Sequence, residues 1–84
     1  MEESKNEQSE VIVFSTLTCP WCVMVKNYLK EKNIIFENKD VTFDQKAADQ
    51  MIKRSGQIGV PQLWIGEEVV VGFDKDRINK LLGL

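Results

Sequence analysis

Cys19-Pro20-Trp21-Cys22, preceded by the apolar run Val11-Ile12-Val13-Phe14, decides how the rest of the chain is read. These are the chain's only two cysteines. The run is rich in β-branched residues and continuously apolar, which fits a strand covered on both faces. Ser15 to Thr18 reads as the loop that follows it. An amphipathic run then extends from Trp21 to Lys32. Val25, Leu29 and Lys32, with Cys22, Trp21 and Tyr28 beside them, repeat at the spacing of one helix face. Pro20 suits a first helical turn, where its missing N–H would have no partner. A Cys-x-x-Cys therefore sits where a strand hands over to a helix. Cys19 lies at the helix start, where unpaired N–H groups and the macrodipole favour an anion. The thiolate is the reactive form of cysteine.

The totals narrow the function classes. Eighty-four residues make one small domain with a modest core. Apolar residues at 43% and charged residues at 29% are ordinary for a globular protein. A net charge of −2 argues against a nucleic-acid face. No stretch is apolar enough for a membrane span. Residues 1–10 are polar and acidic, with no apolar signal core, and read as a flexible tail before a domain over residues 11–84. A cytoplasmic location follows as the expectation. There, two cysteines at this spacing indicate redox or metal chemistry rather than a structural staple. Without a histidine and with two thiols, one chain cannot close a four-ligand zinc site.

Further along, Asn33 is a helix stop and Ile34 to Val41 reads as a second strand, with Ile35 or Phe36 buried. Thr42-Phe43-Asp44-Gln45 fits a capping box, Thr42 at the N-cap and Gln45 at N3. The helix it opens runs to Ser55, with Ala47, Ala48, Met51 and Ile52 as its stripe and Gly56 after its end. Val60-Pro61 opens a third strand through Leu63 and Ile65. Gly66-Glu67-Glu68 is a hairpin turn, and Val69 to Val71 returns. Asp74 caps a last helix with Ile78, Leu81 and Leu82 inward. The order is βαβαββα, with the first two strands parallel across their crossover helix.

This order resembles the thioredoxin fold in its smallest form, the glutaredoxin: an α/β domain with a four-stranded mixed sheet flanked by three helices. Phe14 to Cys22 resembles the glutaredoxin active-site segment, usually Cys-Pro-Tyr-Cys. Gln57-Ile58-Gly59-Val60-Pro61 is similar to the segment ending in that fold's cis-proline, and Gly72-Phe73-Asp74 resembles its corner before the last helix. The resemblance covers Val11 to Leu84. It implies a dithiol–disulfide oxidoreductase without a bound cofactor, acting as a monomer on protein disulfides or glutathione mixed disulfides. Cys19 would attack and Cys22 would resolve. Pro20 and Trp21 would border the disulfide. Val60, beside Pro61, would offer its backbone to an extended substrate. Gln57, Gly72, Phe73 and Asp74 would complete a glutathione or substrate site.

Two departures bear on the electron donor. Thr16 stands where glutathione-dependent members usually carry a lysine, and Val71-Gly72 where they carry a Gly-Gly pair. The run Gly72-Phe73-Asp74-Lys75-Asp76-Arg77 also resembles redoxins reduced by a thioredoxin-reductase-type flavoprotein. Glutathione as co-substrate and that flavoprotein are thus both open as donors. A two-chain iron–sulfur cluster held by four thiolates is the alternative outside redox catalysis.

Overall fold

The computed structural model describes residues 10–84. The expected N-terminal tail falls, as far as residue 9, outside the described residues. The elements are β1 (Val11–Ser15), α1 (Pro20–Glu31), β2 (Glu37–Asp40), α2 (Gln45–Ser55), β3 (Gln62–Ile65), β4 (Glu68–Val71) and α3 (Lys75–Leu82). They form one four-stranded sheet in the order β2-β1-β3-β4. β1 and β2 are parallel, whereas β3 is antiparallel to both β1 and β4. The mixed sheet and three helices are those of the thioredoxin fold expected from the order of elements.

Alternation along the central strands sorts the core into two layers. Val11 and Val13 of β1, Leu63 and Ile65 of β3 and Val70 of β4 meet Val25 and Leu29 of α1 and Ile78 of α3. On the opposite face Phe14 meets Ala47 and Met51 of α2, with Ile12, Val41, Val60 and Trp64 packed around them. Both faces of β1 are therefore covered, as its unbroken apolar run requires. Phe14, Leu29, Leu63 and Ile78 are wholly buried, and each such side chain contributes about 1.5–3 kcal/mol.

Local chemistry sets the element ends. Asn33 has φ 60°, its N–H reaches Lys30 O at 3.0 Å, and Ile34 N–H reaches Leu29 O at 2.9 Å. That pair of bonds is a Schellman stop, closed by apolar contact of Ile34 with the layer containing Leu29. Gly66, φ 61°, supplies the positive φ of a two-residue hairpin that sets Ile65 opposite Glu68. Gly66 N–H also donates to Glu10 O at 2.9 Å, carrying the chain's approach to β1 alongside the hairpin.

Several local expectations are corrected. The third strand opens at Gln62 and not at Val60, and α2 buries Ala47 and Met51 while Ile52 is exposed. The second strand covers only Glu37–Asp40, because Ile34 is spent on the helix stop. Phe36 packs on the core while Ile35 is 80% exposed. Within α1 the buried face is Cys22, Val25 and Leu29; Trp21 and Lys32 lie outside it. The N-cap of α2 is Asp44, not Thr42: Asp44 Oδ1 accepts from Ala47 N–H at 3.0 Å. Thr42 is otherwise engaged. Its N–H donates to Asp40 Oδ1 at 2.8 Å, and its Oγ1 accepts from Leu17 N–H at 3.0 Å.

Candidate functional site

The loop after β1 delivers Cys19 to the start of α1. Ser15 O accepts from Val41 N–H at 2.8 Å, and the Leu17–Thr42 bond ties the middle of the loop to the end of β2. Cys19 has extended backbone at the N-cap, Pro20 follows at the first helical position, and Cys22 and Val23 N–H donate to Cys19 O at 3.1 and 3.2 Å. Cys22 N–H also donates to Cys19 Sγ at 3.0 Å. The first sulfur thus shares a helix-start N–H with the Cys19 carbonyl, at the end of the helix where a negative charge is favoured. The two sulfurs are joined in a disulfide, with Cα atoms 5.2 Å apart. Cys22 is fully buried, whereas Cys19 is partly exposed. An incoming group therefore has access to one sulfur and not the other.

Beside the helix start lies a groove of about 290 Å³ lined by Trp21, Val60, Pro61, Gly72 and Phe73. These five, from three separate segments, are among the residues singled out in the sequence. Trp21 is 59% exposed, so it forms a wall rather than core. The Val60-Pro61 peptide is cis. Gly72 N–H donates to Pro61 O at 2.8 Å, joining two of the lining segments directly. Gly72 has φ 85°, and a Cβ built on it would meet nothing within 4 Å. Glycine is needed there for its backbone angle and not for space. Phe73 packs on Tyr28 of α1, ring centroids 5.6 Å apart, and the Tyr28 hydroxyl donates to Asn79 of α3. A wider depression of about 690 Å³ on the α1–α3 side includes Met24, Tyr28, Phe73 and Lys75 but not Trp21 or Pro61. The smaller groove, which takes in Trp21 from between the two cysteines together with the cis Val60-Pro61 segment, is the candidate site.

Pro20, Gln57 and Asp74 are not among the groove-lining residues. Pro20 is exposed at the helix start. The Gln57 side chain is exposed, while its backbone is held: its N–H donates to Ser55 Oγ at 3.0 Å, and its O accepts from Gln62 Nε2 at 2.9 Å. Asp74 caps α3, accepting from Arg77 N–H at 3.2 Å. Sequence reasoning missed Thr42 as the loop's anchor and Gln62 as the anchor of the segment before Pro61. One signal for Gln62 was available: a polar residue opening the otherwise apolar run Gln62-Leu63-Trp64-Ile65.

Electrostatics around the loop involve Asp40. Its carboxyl is held below the usual value of 3.8, chiefly by hydrogen bonds from the Thr42 side chain and backbone, with a smaller contribution from Lys26. Among the described residues, no group of three or more Cys, Asp or Glu side chains gathers to hold a metal ion. No helix among them is long and apolar enough to cross a membrane.

Comparison with known proteins supplies the family. The Glutaredoxin family profile matches residues 11–70. An uncharacterized glutaredoxin-like 8.6 kDa protein in a rubredoxin operon of Clostridium pasteurianum is 46% identical over 70 residues, covering 83% of this chain and 93% of that one. Glutaredoxin 1 of Rickettsia felis is 35% identical over 81 residues, 86% of this chain and 79% of that one. Among solved structures, the glutaredoxin-like protein NrdH-redoxin of Escherichia coli superposes with a TM-score of 0.77 over 86% of this chain and 93% of that one, at 24% identity. With a family profile spanning most of the chain, and a cysteine pair and groove in the positions described, this chain belongs to the glutaredoxin family.

Proposed function

We propose that residues 11–84 act as a thiol–disulfide oxidoreductase of the glutaredoxin type, working through the Cys19-Pro20-Trp21-Cys22 site. The observation that carries this reading is the cysteine pair itself: a partly exposed Cys19 sulfur receiving a helix-start N–H, bonded to a buried Cys22, beside an apolar groove.

In the reduced protein the Cys19 thiolate attacks one sulfur of a substrate disulfide. A Cys19–substrate disulfide forms, and the other substrate sulfur leaves as a thiolate that takes a proton. Cys22 then loses its proton and attacks Cys19 Sγ. That step releases the second substrate thiol and leaves the Cys19–Cys22 disulfide. Two electrons have passed to the substrate, and a donor of two electrons restores the dithiol. Trp21 and Phe73 supply apolar walls, Val60 borders the path of an extended substrate, and Pro61 and Gly72 hold the two sides of the groove together. Gln57 and Asp74 lie outside that lining. Of the two, Asp74 is the better placed for a second role, since it adjoins Phe73 and an N-capping carboxylate keeps lone pairs free.

For the donor, we favour a thioredoxin-reductase-type flavoprotein over glutathione. Thr16 brings no positive charge toward a dianionic tripeptide, and the groove lining contains no charged side chain. NrdH-redoxin, whose fold this chain shares, is described as having a thioredoxin-like activity profile. A reducing compartment such as the cytoplasm and a monomeric state are consistent with this chemistry. The test is a turnover assay on one disulfide substrate, driven either by glutathione with its reductase or by thioredoxin reductase. Faster turnover with the flavoprotein is expected, and strong turnover with glutathione alone would reverse the donor assignment. The absorption spectrum of freshly purified protein addresses the cluster alternative: a colourless protein is expected, and visible absorption bands would favour a cluster.

A further inference from the structure

Gln62 is the first residue of β3, registered opposite Phe14 of β1 and Val71 of β4. It lies on the α2 side of the sheet and is completely buried. Burying a carboxamide among apolar side chains is unfavourable unless its hydrogen bonds are replaced. Here only half of the group is satisfied. Nε2 donates to Gln57 O at 2.9 Å and to Gly59 O at 2.8 Å, while Oε1 has no partner among the described residues. A hydrocarbon side chain of the same length would fill this space without the unpaired Oε1, and the exposed Gly59 carbonyl that loses its donor can turn to water. Packing alone therefore does not account for the residue.

Geometry does. Gln57 and Gly59 are two apart in sequence, and both carbonyls converge on one nitrogen. The segment before Pro61 is wrapped around this amide. The bond to Gly59 closes a small ring that contains Val60 and Pro61, the two groove-lining residues of the segment. Gln57 O has a second donor, Ser55 Oγ at 3.2 Å. Among the described residues, the exposed backbone at Gly59 carries no such side-chain bond besides that from Gln62. Gln62 is thus the side-chain tether on the residue before Val60, while the bond from Gly72 holds Pro61 on its other side.

We propose that Gln62 is a positioning residue, whose buried amide sets the place of the Val60 backbone in the groove that Trp21 walls, and so tunes substrate affinity without taking part in thiol chemistry. This rests on the oxidoreductase reading above, and its test separates the two.

Gln62→Met keeps the length and removes both donated hydrogens; Gln62→Leu is a second apolar variant in case the first mispacks. Turnover is read on insulin disulfides with dithiothreitol as reductant, which makes the natural donor irrelevant. Gln62→Met should raise KM roughly tenfold, the size of one or two lost neutral hydrogen bonds, with kcat within about twofold. Alkylation of reduced Cys19 by iodoacetamide should stay within about twofold of wild type, because that small reagent needs no groove. The thermal midpoint should be equal or higher. Backbone amide shifts of Ile58 to Val60 should move while those of α1 stay in place. An unchanged KM overturns the proposal. So does a fall in activity, Cys19 alkylation and midpoint together, which would make Gln62 a packing residue only. If wild type reduces no insulin, the oxidoreductase reading fails, and the amide shifts still decide the tether: unmoved in Gln62→Met, they overturn it.

Discussion

The two sides of the site are built in different ways. The thiol side, Cys19 to Cys22, is made by contacts three and four residues apart: Cys22 N–H to Cys19 Sγ, and Cys22 and Val23 N–H to Cys19 O. The groove side adds bonds between distant segments to a local one. Gln62 Nε2 reaches Gly59 O three residues back, but Pro61 O accepts from Gly72 N–H of another segment, and Phe73, before α3, packs on Tyr28 of α1. Local bonds in a helix start survive small rearrangements elsewhere, so the reacting sulfur keeps its donor. A wall assembled from three segments can be reshaped by single side chains. The contrast assigns chemistry to the first side and recognition to the second.

The largest expected effect tests the thiol side. Cys19→Ser should abolish turnover, whereas Cys22→Ser should still capture a substrate as a Cys19 mixed disulfide that it cannot release. Mass spectrometry of each variant after exposure to a disulfide distinguishes them, and capture by Cys19→Ser instead would exchange the roles. In the reduced wild type, Cys19 should ionise at lower pH than Cys22, measured as thiolate absorbance, because only the first sulfur meets a helix-start N–H.

Next in size is a truncation on the recognition side. Trp21→Ala removes an exposed wall and no core contact, so KM should rise several-fold to roughly tenfold with little change in melting temperature. Steady-state kinetics beside a thermal melt check this. A fall in kcat with unchanged KM would mean that Trp21 belongs to the chemical side.

A gain of function should be somewhat smaller. Thr16→Lys adds a cation in the loop before Cys19. A charge-assisted contact to a glutathione carboxylate contributes roughly 1.5–3 kcal/mol when well formed, and less when exposed. The apparent KM for glutathione should fall, and the gain should shrink at high salt. A salt-independent gain would rule out charge as its cause.

Two stability effects are smaller again. Asp44→Ala should cost about 1 kcal/mol by urea unfolding, as loss of an N-cap does. Thr42→Ala should act instead on the loop that carries Cys19, since its Oγ1 holds Leu17. Asp40 gives the smallest change. Its folded-state carboxyl lies below 3.8, so its stabilisation is present above that pH and is lost as the pH falls through the lowered value. Asp40→Asn should therefore have a flatter stability profile than wild type as the pH falls below 3.8, read by circular dichroism. Parallel profiles would show that the Thr42 bonds contribute equally to both protonation states.

What the sequence determined by itself is everything that depends on near neighbours. The strand before Cys19, the proline-led helix after it, the Asp74 cap and the glycine of the hairpin follow from bonds and periodicities spanning a few residues. Tertiary structure alone chose between neighbouring candidates. The capping-box pattern pointed to Thr42, but Asp44 caps α2 while Thr42 Oγ1 is taken by Leu17, 25 residues away. Ile35 and Phe36 compete for one place in the core, and the helix stop at Asn33 and Ile34 aims Phe36 inward. The burial of Gln62 is likewise a consequence of Phe14 lying beside it in the sheet. A polar side chain is expensive to bury unless its partners are at hand, and those partners, the carbonyls of Gln57 and Gly59, are brought to it only when the chain turns before Pro61.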